Sequence, residues 1–214
     1  MGIVERKERE KELRSESIID AAENVFFSKG FENATMLDVA KEVELSKGTI
    51  YLYFHSKNEL CMAILLRGLH AVKNILKKLL NDNETSGIDK ISRLADLFIT
   101  FSKEHSFHYS ALLSYREHRE NCPASGKIIT STIDENKNIN GIISDMIKIG
   151  QADETIKMNI DPEKLSLLIW GNFTGIMPSI ILNETSTVEL NFDPENILKY
   201  HFQLITNAIR TEGA

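Results

Sequence analysis

Ser46, Lys47, Thr49, Tyr51, Tyr53, His55 and Lys57 crowd hydroxyls, ammonium groups and an imidazole into twelve residues. The segment Ser46–Lys57 contains no acidic side chain, although the chain as a whole carries a formal charge of −6. Groups of these types donate hydrogen bonds to phosphate oxygens and to base edges, and a phosphate backbone repels nearby carboxylates. The chemistry implied is therefore recognition of nucleic acid. Gly48 lets a backbone approach closely, and Thr49 can meet a base edge or a thymine methyl.

These side chains need a short helix to present them. Ser46 is expected to cap it, and Ile50 and Phe54, four apart, anchor it to a core. Tyr51 and Tyr53 are then expected to point outward. Ser56-Lys57-Asn58-Glu59 reads as a capping box for a long helix running to Leu80, with Lys57 and the first helix amides converging on phosphate. Upstream, a helix over 17–29 closes on Gly30. Thr35 caps a second helix, with Asp38 as its partner, and is placed for a further phosphate contact. Three short helices and a long one, with a tight turn at Glu44-Leu45, make a helix-turn-helix layout. The mixed charge run 5–14 reads as a solvated helix extension, or as an arm whose Lys11 or Arg14 touches phosphate.

Bulk charge does not supply this binding. Residues 1–60 hold nine Lys/Arg against twelve Asp/Glu. Binding must come from local placement, doubled if the chain dimerises.

The segment Gly30–Leu60 resembles the N-terminal domain of the TetR family of bacterial repressors. The resemblance rests on Gly30-Phe31, Thr35, Ala40, Ser46 through Phe54 and Lys57-Asn58-Glu59-Leu60. It implies an all-α homodimer with two DNA-binding heads and a ligand-responsive C-terminal domain. By position, Thr35, Lys47, Thr49, Tyr51, Tyr53 and Lys57 inherit the DNA contacts. The family commonly has glycine where this chain has Glu44. If that turn needs a positive φ, the substitution costs roughly 1–2 kcal/mol.

The division expected is an N-terminal arm and DNA-binding domain over 1–56 and an effector and dimerisation domain over 57–214, joined by the helix 57–80. Further helices are expected near 88–103, 107–119, 125–151, 162–183 and 194–211, with Pro178 kinking the fourth of these. The helix after Pro162 is apolar on both sides, and the last helix is wider in apolar coverage than one core needs. Leu167, Gly171, Thr174, Gly175 and Ile181, with Leu198, Phe202, Ile205 and Ile209, are expected to pack across a two-fold axis. Phe98, Phe101, His105, Tyr109, Leu113, Met146, Trp170, Phe173 and Met177 are candidates for lining an effector cavity, one suited to an apolar or amphipathic small molecule.

Neither Cys61 and Cys122 nor His105, His108 and His118 have convincing metal spacing, so no metal and no cofactor is expected. No apolar run reaches membrane length, and no secretory signal or catalytic motif is evident, so the cytoplasm is the expected compartment and an enzyme is not expected. The expected function is a repressor that binds a near-palindromic double-stranded operator as a homodimer and is released by an effector. A ligand-independent or architectural DNA-binding dimer is the alternative, which a solidly packed bundle would favour.

Overall fold

A computed structural model describes residues 2–105, 108, 126–182 and 193–212, with the backbone alone at 3, 176–182 and 194. Among the described residues there are eight helices and no strand. They are α1 (Ile3–Lys29), α2 (Met36–Glu42), α3 (Lys47–Tyr51), α4 (Lys57–Leu80), α5 (Gly87–Glu104), α6 (Gly126–Ala152), α7 (Pro162–Leu182) and α8 (Pro194–Ile209). The fold is all-α, as expected. The helix expected over 107–119 lies outside the described residues.

Most helix starts follow from local chemistry. The Ser86 hydroxyl accepts from the Asp89 N–H at 3.2 Å to start α5. Asp161 Oδ1 accepts from the Glu163 and Lys164 amides at 3.1 Å each to start α7, and Asp193 Oδ1 accepts from Glu195 at 3.1 Å to start α8. Each cap satisfies amides that lack intrahelical partners. α7 continues through Pro178 to Leu182.

α1 begins at Ile3, so the charge run 5–14 is a helix extension, the first of its two expected readings. The Gly2 N–H donates to Glu5 Oε2 at 2.7 Å, and Arg6 pairs with Glu10 at 3.0 Å. These local bonds support a helix that runs fifteen residues, Ile3 to Ser17, ahead of the first buried position, Ile18.

The chain divides into two compact units. One comprises Met1–Gly68 with Phe107–Thr132, the other Leu69–Ser106 with Ile133–Ala214. The first has a core of Ile18, Ala22, Val39, Ile50, Leu60 and Met62, all buried. α1 packs on α2 and α2 on α3. Arg67 on α4 is held by Asp20 at 2.7 Å, by Glu23 at 2.9 Å and by Glu16, all on α1.

The second unit is centred on aromatic rings. Phe98 stacks on Phe173 with centroids 3.9 Å apart, and Trp170 and Phe202 close around them at 6.1 and 6.0 Å from Phe98. Trp170 Nε1 donates to Asn136 Oδ1 at 2.8 Å, which satisfies the indole N–H within the bundle. Lys90 is fully buried and donates to the carbonyls of Leu79 (3.0 Å) and Asp82, closing the C-terminus of α4.

Candidate nucleic-acid interface

The turn into α3 is built from three local devices. Thr35 Oγ1 accepts from the Asp38 N–H at 3.2 Å and donates to Asp38 Oδ2 at 2.7 Å, while the Thr35 N–H donates to the same carboxylate at 3.0 Å. Lys29 Nζ donates to Asp38 Oδ1 at 2.7 Å. The Lys29 ammonium and the Thr35 hydroxyl hold the Asp38 carboxyl down at about 2. Glu44 then takes φ 54°, the left-handed conformation that an L-residue adopts at a cost. The Leu45 N–H donates to the Ala40 carbonyl at 2.9 Å and fixes the entry into α3.

Ser46 caps α3 as expected, its hydroxyl accepting from the Thr49 N–H at 3.0 Å. The two hydroxyls of Ser46 and Thr49 are also bonded at 2.8 Å. Ile50 and Phe54 are buried and fix the helix to the core. Burial of each contributes roughly 1.5–3 kcal/mol.

The outward face of α3 is Lys47, Gly48, Tyr51 and Leu52, all exposed. Lys47 Nζ lies 5.7 Å from the centroid of the Tyr51 ring, so the ammonium and phenol stand side by side. A Cβ at Gly48 would meet nothing closer than Ser46 Oγ at 3.7 Å. The fold therefore leaves open space above this backbone. Leu52 is the side chain that sequence reasoning missed. It is 78 % exposed, against 39 % for Tyr51, and its spacing of four from Gly48 is the signal that places it on the face. Thr49 and Tyr53 are half-buried, so they sit at the edge of this face.

The remaining expected contacts have prior partners. The His55 side chain is exposed, and its backbone N–H donates to Glu59 Oε2 at 2.6 Å. Ser56 Oγ accepts from the Glu59 N–H at 3.0 Å, which starts α4. Lys57 Nζ donates to the Phe31 carbonyl at 2.6 Å and to the Glu32 carbonyl at 3.1 Å, and lies 4.4 Å from the Phe31 ring centroid. Lys57 thus ties the start of α4 to the loop between α1 and α2.

The residues expected to line an effector cavity lie mostly in the second unit's core. Phe98, Phe101, Met146, Trp170 and Phe173 are buried there. The half-buried His105 ring lies 4.9 Å from that of Phe101. Tyr109 and Leu113 lie outside the described residues, as does the side chain of Met177. Among the described residues no group of His, Cys, Asp and Glu could hold a metal ion, and no helix is long and apolar enough to cross a membrane.

Of the residues expected at a dimer interface, Leu198, Phe202 and Ile209 are buried within the single chain. They face inward, where α8 packs on α5 and α7, and so have no apolar surface left for a partner. This corrects the expectation for these three. Leu167 is 60 % exposed, Gly171 is exposed, and Thr174, Gly175 and Ile205 are half-buried. Leu168 (61 %) and Leu204 (52 %) add exposed apolar surface on α7 and α8. The side chain of Ile181 lies outside the described residues.

Residues 18–64 match the family model of the bacterial regulatory proteins, tetR family. YfiR of Bacillus subtilis, an uncharacterized HTH-type transcriptional regulator, is 46 % identical over 59 residues, covering 28 % of this chain and 29 % of that protein. The matched segment thus spans under a third of that relative's length. Over the whole fold, the chain is similar to the fatty acid degradation regulator FadR of Bacillus halodurans. That match has a TM-score of 0.68 at 16 % identity and covers 90 % of this chain and 94 % of that one. It is also similar to the transcriptional regulator FadR of B. subtilis in complex with stearoyl-CoA, with a TM-score of 0.62 at 18 % identity and coverage of 90 % and 98 %. Residues 18–64 of this chain thus form a domain of the kind described by the tetR family of bacterial regulatory proteins.

Proposed function

We propose that the chain is a transcriptional repressor that binds a near-palindromic DNA operator as a homodimer and is released by a small effector. The observation that carries this reading is the face of α3. Lys47, Gly48, Tyr51 and Leu52 stand exposed on a helix anchored by Ile50 and Phe54. An ammonium, a phenol, a bare backbone and an apolar tip can respectively meet phosphate, phosphate or base, a closely approaching strand, and a thymine methyl. Two copies related by a two-fold axis would address successive major grooves. Exposed Leu167, Leu168, Gly171 and Leu204 support pairing through α7 and α8.

The effector acts by binding the DNA-incompetent state more tightly, which shifts the population. The apolar second unit favours an apolar or amphipathic compound, and the stearoyl-CoA bound by the similar B. subtilis regulator makes long-chain acyl thioesters the first class to try. The stacked Phe98–Phe173 pair speaks for the second reading, a ligand-independent dimer, because an effector in this core must displace rings already in contact.

A gel-shift titration against DNA flanking the protein's own gene, with and without acyl thioesters, tests both readings. Specific binding released by an acyl thioester supports the ligand-controlled repressor. Specific binding that no compound releases supports the ligand-independent dimer. Binding no tighter than to random DNA, there or after selection from a random pool, would contradict both.

A further inference from the structure

Five basic and five acidic residues are interspersed over 5–16 of α1, and three of the basic ones share a face. Lys7, Lys11 and Arg14 follow one another at spacings of four and three, so they lie along one line of the helix. The same line continues through Ile18, Ala21 and Val25, which are buried against the rest of the first unit. The basic stripe therefore continues into solvent the face of α1 that is buried in the first unit. Lys7, Lys11 and Arg14 are exposed, and among the described residues none of them makes an ion pair.

Most acidic residues run along a different line, Glu5, Glu8, Glu12 and Glu16, continued by Asp20 and Glu23 and interrupted by Arg9, while Glu10 borders the basic line. That line has a partner within the chain, because Glu16, Asp20 and Glu23 bind Arg67. The basic line has none there. Like charges four apart, such as Lys7 with Lys11 and Glu8 with Glu12, disfavour an isolated helix. Opposite-charge pairs such as Arg6–Glu10 support the extension, and Lys7, Lys11 and Arg14 are left as one cationic edge bordered by Glu8 and Glu10.

We propose that Lys7, Lys11 and Arg14 form a second contact surface for the phosphate backbone of duplex DNA, on sequence flanking the part read by α3. The proposal rests on the DNA-binding reading above. The stripe from Lys7 to Arg14 is about 10 Å long, the axial length over which one strand presents about three phosphates. Contacts of this kind add affinity and salt dependence without adding sequence preference.

The test uses the full chain and a duplex selected by it from a random-sequence pool, with binding measured by fluorescence anisotropy across a salt series. The variant Lys7→Gln/Lys11→Gln/Arg14→Gln should bind at least tenfold more weakly at about 100 mM salt, where phosphate contacts still contribute strongly. Its slope of log affinity against log salt should fall by about 2.7 for each arm engaged. Trimming the duplex flanks should remove the difference between variant and wild type. Lys7→Arg/Lys11→Arg should retain wild-type binding, and Glu5→Gln/Glu8→Gln/Glu12→Gln should bind no more weakly. Circular dichroism of each variant checks that the α1 extension stays helical. Wild-type affinity and slope in the triple variant, with Lys47→Ala weakened, would overturn the arm contact and leave the α3 reading standing. A wild-type chain that selects no duplex would overturn both.

Discussion

At the residue scale, backbone conformation sets two opposite expectations. Gly30 has φ 74° and ψ 154°, and a Cβ there would meet no atom within 4 Å. Any cost of substitution is therefore backbone strain, and Gly30→Ala should destabilise the chain by about 1–3 kcal/mol in chemical denaturation. Glu44 has φ 54° with an L side chain, so Glu44→Gly should raise stability by about 1 kcal/mol, the relieved strain less glycine's entropic cost. It should also tighten DNA binding, because it removes a carboxylate from the turn before α3. Asp38 gives a pH dependence. Its carboxyl is held at about 2 by Lys29 and Thr35, below its ordinary 3.8. A depressed acid favours the folded state fully above the unfolded value, and that contribution disappears as pH falls through the folded one. Stability should therefore fall between about pH 4 and pH 2, and Asp38→Asn should flatten that part of the profile. Lys57→Ala should cost about 1–3 kcal/mol through its lost bonds to the Phe31 and Glu32 carbonyls, read as a lower unfolding midpoint.

At the element scale, what was legible in the sequence was what is local. The caps at Thr35, Ser46 and Ser56 depend on residues within three positions, and the structure contains each of them. The run 5–14 has no apolar periodicity, and its helix was legible only as a charged extension, which the Arg6–Glu10 pair and the Gly2–Glu5 bond support. The role of Lys57 was hidden for another reason. Its partners lie 25 and 26 positions away, and nothing in Ser56-Lys57-Asn58-Glu59 points to them. A helix with apolar residues all round does not say which side its own chain covers. That ambiguity is why the expected interface set holds Leu198, Phe202 and Ile209, which are buried within the chain, and leaves out Leu168 and Leu204, which are exposed. If α7 and α8 pair two chains, Leu167→Glu/Leu204→Glu should convert the dimer to monomer in sedimentation with helix content unchanged.

At the scale of the whole molecule, a net charge of −6 is compatible with the proposed DNA-binding surface because the basic groups are placed and not abundant. Trp170 is the sole tryptophan and sits in the aromatic cluster with Phe98 and Phe173. An effector that enters that cluster should change its fluorescence, and one that acts without doing so would locate the effector site elsewhere. The central claim is that the exposed face of α3 binds DNA. Tyr51→Ala tests it most directly, because the ring is exposed on that face and carries little of the fold. On a duplex selected by the wild-type chain, anisotropy should show affinity falling at least tenfold, the order of one lost specific contact, with the unfolding midpoint unchanged. Wild-type affinity in Tyr51→Ala, repeated in Lys47→Ala, would contradict the account.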